Sequence, residues 1–242
     1  MAVRTDGLPW LLSQRNQFTI QDDFLRDVDS ADWATVISDL GSAAVGDVVA
    51  GILALVPSDA SVGDNDETYA RTANKLFKFA ARKPCYFEAR VQFTEASTNA
   101  ANILVGLSST VAADTLVDNG GGPPSNYSGA VFFKVDGGTV WQAETSNGTT
   151  QTTTELSASN ANNIARRNVT AGGSAYQTLR IDYQPYSATN AYVTFSVDGV
   201  VVAQHDYIFT SAAEMYVGFG VKNGSANLET LNVDYVACIQ ER

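Results

Sequence analysis

The sequence predicts an all-β protein, a two-sheet antiparallel jelly-roll sandwich with an extended N-terminal arm. Apolar residues recur with a period close to two through most of the chain, and turn signals follow one another at intervals of about 8–12 residues. Apolar residues make up 45 % of the 242 positions and charged residues 17 %, which is enough apolar surface for a core. We predict an arm over residues 1–21 and one sandwich domain over residues 22–242, a length that single β domains reach.

The strands are predicted from strict alternation. In Tyr86–Phe93 one face would be apolar and the other polar, and the same alternation recurs in Leu179–Tyr183, Tyr192–Val197 and Leu231–Ala237. Side chains of a strand point alternately to its two faces, so each segment is a half-buried strand. The predicted outward residues of the first strand are Tyr86, Glu88, Arg90 and Gln92.

Turn residues separate these strands. Asp198-Gly199 between two apolar runs predicts a two-residue hairpin, because both residues tolerate positive φ. Asp136-Gly137-Gly138 and Asn223-Gly224 are similar signals, while residues 119–124 and 171–174 predict longer loops. No segment predicts an amphipathic helix of more than one or two turns.

Composition excludes several functions. A formal net charge of −11 and a pI near 4.4 disfavour nucleic acid as a partner, because phosphates require clustered cations. His205 is the single imidazole, which excludes a multi-histidine centre. The start of the chain does not resemble a secretory signal, and the longest apolar run, Val48–Val56, is too short for a membrane helix. We therefore expect synthesis in the cytoplasm and no membrane partner.

The N-terminal arm has an apolar cluster of its own, Leu8, Trp10, Leu11 and Leu12. An exposed apolar segment outside a core has to be covered. It either folds back on its own sandwich or binds another subunit, and these four residues are the candidates for partner contact.

The order of the elements resembles a concanavalin A-like jelly roll, the domain of laminin G modules, legume lectins and some glucanases. The resemblance rests on Asp22-Asp23-Phe24 with Trp33, on Tyr86–Phe93, and on three C-terminal segments in the order usual for the superfamily. Those segments are Tyr176–Tyr183, Val193–Val200 and Val233–Val236. The resemblance covers most of residues 22–239 and implies a two-sheet sandwich.

The whole chain also resembles a group of virion proteins of tailed bacteriophages. Residues 51–56 with 64–67, residues 128–131 with 134–141, and residues 229–235 are similar to that group. The resemblance implies a non-enzymatic structural protein on the capsid exterior that decorates or cements the shell, binding the major capsid protein and copies of itself. The alternative is a lectin-like carbohydrate-binding module that recognises glycans of a host surface.

No catalytic constellation is found in the sequence. The glucanase branch of the superfamily would place carboxylates as Glu-x-Asp-x-x-Glu on one strand, and no glutamate of this chain begins that pattern. A serine triad would need His205, whose neighbour Asp206 would point to the opposite face of a strand. We therefore predict that the protein is not an enzyme, and that His205 is an ordinary surface or edge histidine.

One loop could bind a metal ion. Asp64, Asp66 and Glu67 present hard oxygen atoms within a short segment, as Ca²⁺ requires. The spacing does not match an EF-hand, and a solvated acidic loop is the competing interpretation. Calcium is the one cofactor that the sequence suggests.

Cys85 and Cys238 are predicted to be free thiols. Cys85 shares parity with the inward residues of its strand, whereas Cys238 has the parity opposite to Leu231 and Val233. Unless a bulge intervenes, the two point to different faces and cannot form a disulfide.

Exposed aromatic residues on one sheet would favour sugar binding. The candidates are Trp141, Tyr127, Tyr186, Tyr192 and Tyr207. Trp141 follows a hairpin, and we favour a core position for it.

Overall fold

The computed structural model describes residues 16–26, 31–46 and 51–242. These residues form strands and connecting loops, and none of their segments is a helix long and apolar enough to cross a membrane. The strands are β1 Gln17–Asp22, β2 Trp33–Ile37, β3 Leu40–Gly46, β4 Ile52–Ser58, β5 Glu67–Thr72, β6 Cys85–Gln92, β7 Ala101–Ser108, β8 Ser128–Lys134, β9 Gln142–Asn147, β10 Gln151–Glu155, β11 Gln177–Pro185, β12 Asn190–Val197, β13 Val200–Ile208, β14 Tyr216–Asn223 and β15 Leu231–Glu241.

The strands build two antiparallel sheets that pack face to face. Sheet A has the order β13-β12-β11-β6-β15-β4-β3, with β1 also paired to β15. Sheet B has the order β10-β9-β8-β7-β14-β5-β2. The predicted all-β sandwich is confirmed, and many neighbours along a sheet are distant in sequence, as in a jelly roll.

The alternation correctly predicts the inward faces of three strands of sheet A, β6, β11 and β12. The inward residues of β6, β11 and β12 are buried in the main core, whereas the outward residues of β6 are only half-buried. Rings from both sheets meet there: Phe132 of β8 packs edge-on against Phe195 of β12, with centroids 5.2 Å apart. The Asp198-Gly199 hairpin is present, and both residues have positive φ.

The predicted boundary between arm and sandwich needs correction. Residues 17–22 form β1 and pair with residues 236–241 of β15, so they belong to sheet A. The side chains of Phe18 and Ile20 pack against the main core. The predicted contact residues Leu8, Trp10, Leu11 and Leu12 lie outside the described residues.

The two cysteines face the same core, contrary to the prediction. The pairing of β15 with β6 shifts register between Val233 and Tyr235, and this irregularity inverts the parity of the following residues. Cys238 therefore points inward and is fully buried beside Cys85, where burial raises the pKa of its thiol. Both thiols are free, as predicted.

The outer face of sheet B is covered by the loop of residues 109–127. Val111, Leu116 and Tyr127 from this region pack with Tyr69, Leu104, Val131 and Phe133 of the sheet in a second apolar cluster. The buried ammonium group of Lys222 holds the loop by ion pairs with Asp114 (3.2 Å) and Asp118, and by a hydrogen bond to the carbonyl of Leu116 (3.0 Å). The loop thereby covers the middle strands of this face, β5, β7, β8 and β14.

Candidate functional site

The outer face of sheet A presents two exposed tyrosines side by side. Tyr186 follows β11 and is 51 % exposed, and Tyr192 of β12 is 42 % exposed. Their ring centroids lie 4.5 Å apart at an interplanar angle of 30°. The rings lie at the β11–β12 hairpin, whose turn is closed by hydrogen bonds from the Tyr186 and Ser187 amides to the carbonyl of Asn190.

Polar side chains flank this tyrosine pair. In the register of sheet A, Tyr192 lies between Gln184 of β11 and Asp206 of β13. The Tyr186 hydroxyl donates a hydrogen bond to Asp206 Oδ1 at 2.8 Å, and this bond raises the pKa of Tyr186. The Tyr186 ring is thus fixed in position. The side-chain amide of Gln184 and the carboxylate of Asp206 lie on the strands that flank Tyr192.

The same face continues into a network of tyrosines, arginines and carboxylates. Arg180 donates two hydrogen bonds to Asp182, at 2.7 and 2.8 Å, and its guanidinium lies 4.7 Å over the ring of Tyr86. The hydroxyls of Tyr86 and Tyr235 both donate to the carboxylate of Glu88. The rings on this face are therefore held rigidly by neighbouring side chains.

A cavity of about 240 Å³ opens beside Tyr86 and Asp182 of this network. Its lining includes Tyr86 of β6, the polar residues Asp182 and Gln184 of β11, and Gln17 of β1 with Glu241 of β15. An aromatic residue and several hydrogen-bonding groups therefore lie together in the lining of this cavity.

The outer face of sheet B has carboxylates on three strands. Glu144 of β9 and Glu155 of β10 are diagonal neighbours in the register of these paired strands, whereas Glu67 lies on β5. Glu144 is buried and accepts hydrogen bonds from the Tyr127 hydroxyl (3.0 Å), Gln151 (3.2 Å) and Thr153, and burial raises its pKa. The bond from Tyr127 connects the covering loop to β9, and the other two connect β10 to β9.

The five candidate aromatics divide into two groups. Trp141 is fully buried, as favoured from the sequence, and its indole N–H donates to Gln177 (3.0 Å). Tyr127 and Tyr207 are also buried. Only Tyr186 and Tyr192 of the five are exposed, and these two are adjacent.

His205 is buried rather than at the surface, so that prediction is wrong. It is 4 % exposed, with ring nitrogens 3.0 Å from the hydroxyls of Thr145 and Thr154. It thereby joins β13 of sheet A to β9 and β10 of sheet B, and burial lowers its pKa to about 4. Asp206 points to the opposite face, as predicted, so the two residues form no catalytic pair.

The predicted calcium ligands are not assembled into one site. Asp64 is exposed, Asp66 accepts a hydrogen bond from the Gly63 amide (2.6 Å), and Glu67 is bonded to the Tyr69 hydroxyl (2.9 Å) and lies 3.4 Å from Lys222. Across residues 16–26, 31–46 and 51–242, no three His, Cys, Asp or Glu side chains are grouped to hold a metal ion. In this structure the loop therefore uses its carboxylates for hydrogen bonds and an ion pair.

Solved structures similar to this one include lectin domains and polysaccharide-degrading enzymes. The Emp47p carbohydrate recognition domain superposes with a TM-score of 0.57 at 13 % identity, covering 93 % of this chain and 96 % of that one. An endo-1,3-β-glucanase from Streptomyces sioyaensis gives 0.59 at 18 %, covering 93 % and 97 %. A legume lectin-like domain from Entamoeba histolytica gives 0.54 at 10 %, covering 86 % and 89 %. The predicted concanavalin A-like fold is confirmed.

Comparison of the sequence with family models and with curated proteins finds no relative of this chain. The predicted bacteriophage origin and capsid role have no support in any of these comparisons, which show the fold alone.

The prediction that the protein is not an enzyme is overturned. Structures of this fold include the glucanase, an endo-β-1,4-glucuronan lyase from Trichoderma reesei and a κ-carrageenase from Pseudoalteromonas carrageenovora. Lectins and enzymes share the sandwich, so a search for one glucanase pattern does not exclude catalysis.

The sequence prediction missed the polar partners of the tyrosine pair. The alternation predicts that Tyr86 and Asp182 face outward but gives them no functional role, and Gln184 lies beyond the predicted strand Leu179–Tyr183. The register of β6, β11 and β12 places all three on the face of Tyr192. The pairing of β6 with β11 could have been used to find them, but it joins segments about 90 residues apart, which local patterns do not reveal.

Proposed function

We propose that this protein is a lectin-like carbohydrate-binding protein whose sugar site lies on the outer face of sheet A. The observation that supports this most directly is the exposed pair of Tyr186 and Tyr192 beside Gln184 and Asp206. The C–H face of a sugar ring is apolar and packs on an aromatic ring, while its hydroxyls bond to neighbouring amides and carboxylates.

Rigidity supports the same site. The Tyr186 hydroxyl is bonded to Asp206, and the turn that holds it is closed by backbone hydrogen bonds. A ligand that stacks on rings already fixed pays little side-chain ordering entropy. The cavity beside Tyr86 offers a second position about one sugar in size.

Fold likeness supports a carbohydrate ligand in general terms. The Emp47p domain is a carbohydrate recognition domain, and the glucanase acts on a polysaccharide. The loop of residues 109–127 covers the middle of the outer face of sheet B, whereas the tyrosine pair on sheet A is exposed.

A glycan array tests the proposal, followed by calorimetry of any ligand it identifies. Tyr192→Ala should weaken binding by at least about 10-fold, because it removes the stacking surface. Tyr192→Phe keeps the ring and should bind within about 3-fold of the natural protein. Leu40→Ala, at an exposed apolar residue of β3 on the opposite edge of sheet A from the tyrosine pair, serves as the matched control. No glycan binding, or equal binding by Tyr192→Ala and Leu40→Ala, would reject the proposal.

A further inference from the structure

The segment between Glu67 and Glu88 contains no acidic residue, although the chain has 26 acidic and 15 basic residues. Five cations lie within it: Arg71, Lys75, Lys78, Arg82 and Lys83. A third of the basic residues therefore fall in one short stretch of an acidic protein, which creates a local positive potential.

The fold holds this stretch in a fixed shape with its cations outward. Phe77 and Phe79 are fully buried, while Lys75, Lys78, Arg82 and Lys83 are exposed. The buried side chain of Gln240 accepts a hydrogen bond from the Lys78 amide (3.0 Å) and donates to the carbonyls of Lys78 (2.6 Å) and Lys83 (3.4 Å). Backbone order of this kind lowers the entropy cost of binding a ligand.

The cations of this stretch differ from those elsewhere in the protein. Arg90, Lys134, Arg180 and Lys222 each form an ion pair with a carboxylate. Among the described parts of the chain, no ion pair is found for Lys75, Lys78, Arg82 or Lys83. Their charges are therefore available to an external anion.

Three of these lysines line a groove of about 330 Å³. Lys75, Lys78, Lys83 and Arg242 surround it with Glu214 and Glu241, so cations outnumber carboxylates two to one. Phe18 and Leu76 form an apolar part of its wall, and both also line an adjoining cavity of about 410 Å³. The lining of that cavity includes Asp22 and Asp32, so the cationic surface is confined to the groove.

We propose that this groove, formed by Phe18, Lys75, Leu76, Lys78, Lys83 and Arg242, binds the carboxylate groups of an acidic polysaccharide. The inference rests on the proposed carbohydrate-binding function and extends it to a second surface and a ligand class. Uronate chains have one carboxylate per sugar, which suits several separate lysines better than one bidentate clamp.

Nucleic acid fits the groove less well. Single strands bind where bases stack on free rings, but the Tyr216 ring is covered by Arg71 at 4.1 Å and approached by Lys75 at 5.3 Å. Phe18 is partly buried against the core, with its ring 5.2 Å from that of Phe77. The net charge of −11 also opposes the dense phosphates of a nucleic acid more than the sparser carboxylates of a polyuronate.

Calorimetry with a matched pair of oligosaccharides tests the inference. The probes are a β-1,4-linked glucuronate hexamer and its neutral parent, cellohexaose, each at about 50 and 300 mM NaCl. The natural protein should bind the glucuronate at least about 5-fold more tightly at the lower salt, and the preference should fall at the higher. Lys78→Ala/Lys83→Ala should remove this preference.

The control is Arg166→Ala/Arg167→Ala, which removes two exposed cations of a different loop and should bind as the natural protein does. Thermal unfolding of both variants establishes that they are folded. Equal affinity for the two hexamers, or equal loss in both variants, would overturn the inference. So would binding of polyglutamate or a DNA oligonucleotide without the glucuronate. If the natural protein bound no glycan on the array or in calorimetry, the proposed carbohydrate-binding function itself would be rejected.

Discussion

His205 should make the stability of the protein fall in mildly acidic solution. The ring is buried between the hydroxyls of Thr145 and Thr154, and the ring of Phe195 lies 5.2 Å away. Burial alone lowers its pKa from the ordinary 6.5 to about 4. Protonation would place an uncompensated charge between the two sheets.

The size and direction of the effect follow from this pKa. The neutral imidazole is favoured in the folded protein, so its contribution is complete above pH 6.5 and is lost as the pH falls towards 4. We expect a loss of about 2 kcal/mol at pH 5 and about 3 kcal/mol at pH 4. For a domain of this size, the loss at pH 5 corresponds to a Tm lower by about 4–8 °C.

Urea unfolding of the natural protein and of His205→Gln, at steps between pH 8 and pH 4, measures this contribution. Glutamine keeps hydrogen-bonding groups and does not titrate. The carboxylates titrate in both proteins, so their contribution cancels in the difference between the two free energies of unfolding. That difference should shrink by about 2 kcal/mol between pH 7 and pH 5. Parallel pH profiles would refute the role given to His205.

Three further predictions concern the covering loop, a glycine and the thiols. Lys222→Met should lower the free energy of unfolding by about 3 kcal/mol, because it leaves the buried carboxylate of Glu67 without its ion pair. It should also make residues 109–127 sensitive to thermolysin, and unchanged resistance to cleavage would contradict this. Gly220→Ala should cost about 1–3 kcal/mol in urea unfolding, because its Cβ would lie 2.1 Å from a ring carbon of the buried Tyr69; an unaltered midpoint would exclude this clash. Cys85 and Cys238 should react with Ellman's reagent only after unfolding, since both are buried; rapid labelling of the native protein would show otherwise.

The sandwich could be predicted from sequence because half-buried strands alternate. This held for β6, β11 and β12, which have one face in the core. Alternation is a weaker signal for β7 and β8. Both strands are buried on both faces, because the loop of residues 109–127 covers their outer face. Tyr127 is buried because this loop packs on the sheet, and the sequence around Tyr127 contains no pattern that predicts its burial.

One irregularity in β15 explains why the predicted orientation of Cys238 was wrong. The register shift between Val233 and Tyr235 turned Cys238 towards the core, and alternation alone gives no signal for such a shift. The candidate site was predicted in part: Tyr186 and Tyr192 were among five candidate rings, but their contact depends on the β11–β12 turn. The partner Asp206 is supplied by β13, and its bond to Tyr186 required the folded hairpins.

The location of the sugar site is tested most directly by NMR titration of the isotope-labelled protein with a glycan found on the array. A site on the outer face of sheet A predicts amide shift changes concentrated at Gln184, Tyr186, Tyr192 and Asp206. The amides of Val111, Leu116 and Glu144, on the covered side of sheet B, should stay unchanged. Shift changes confined to sheet B or its covering loop, with none at the tyrosine pair, would contradict the proposed site.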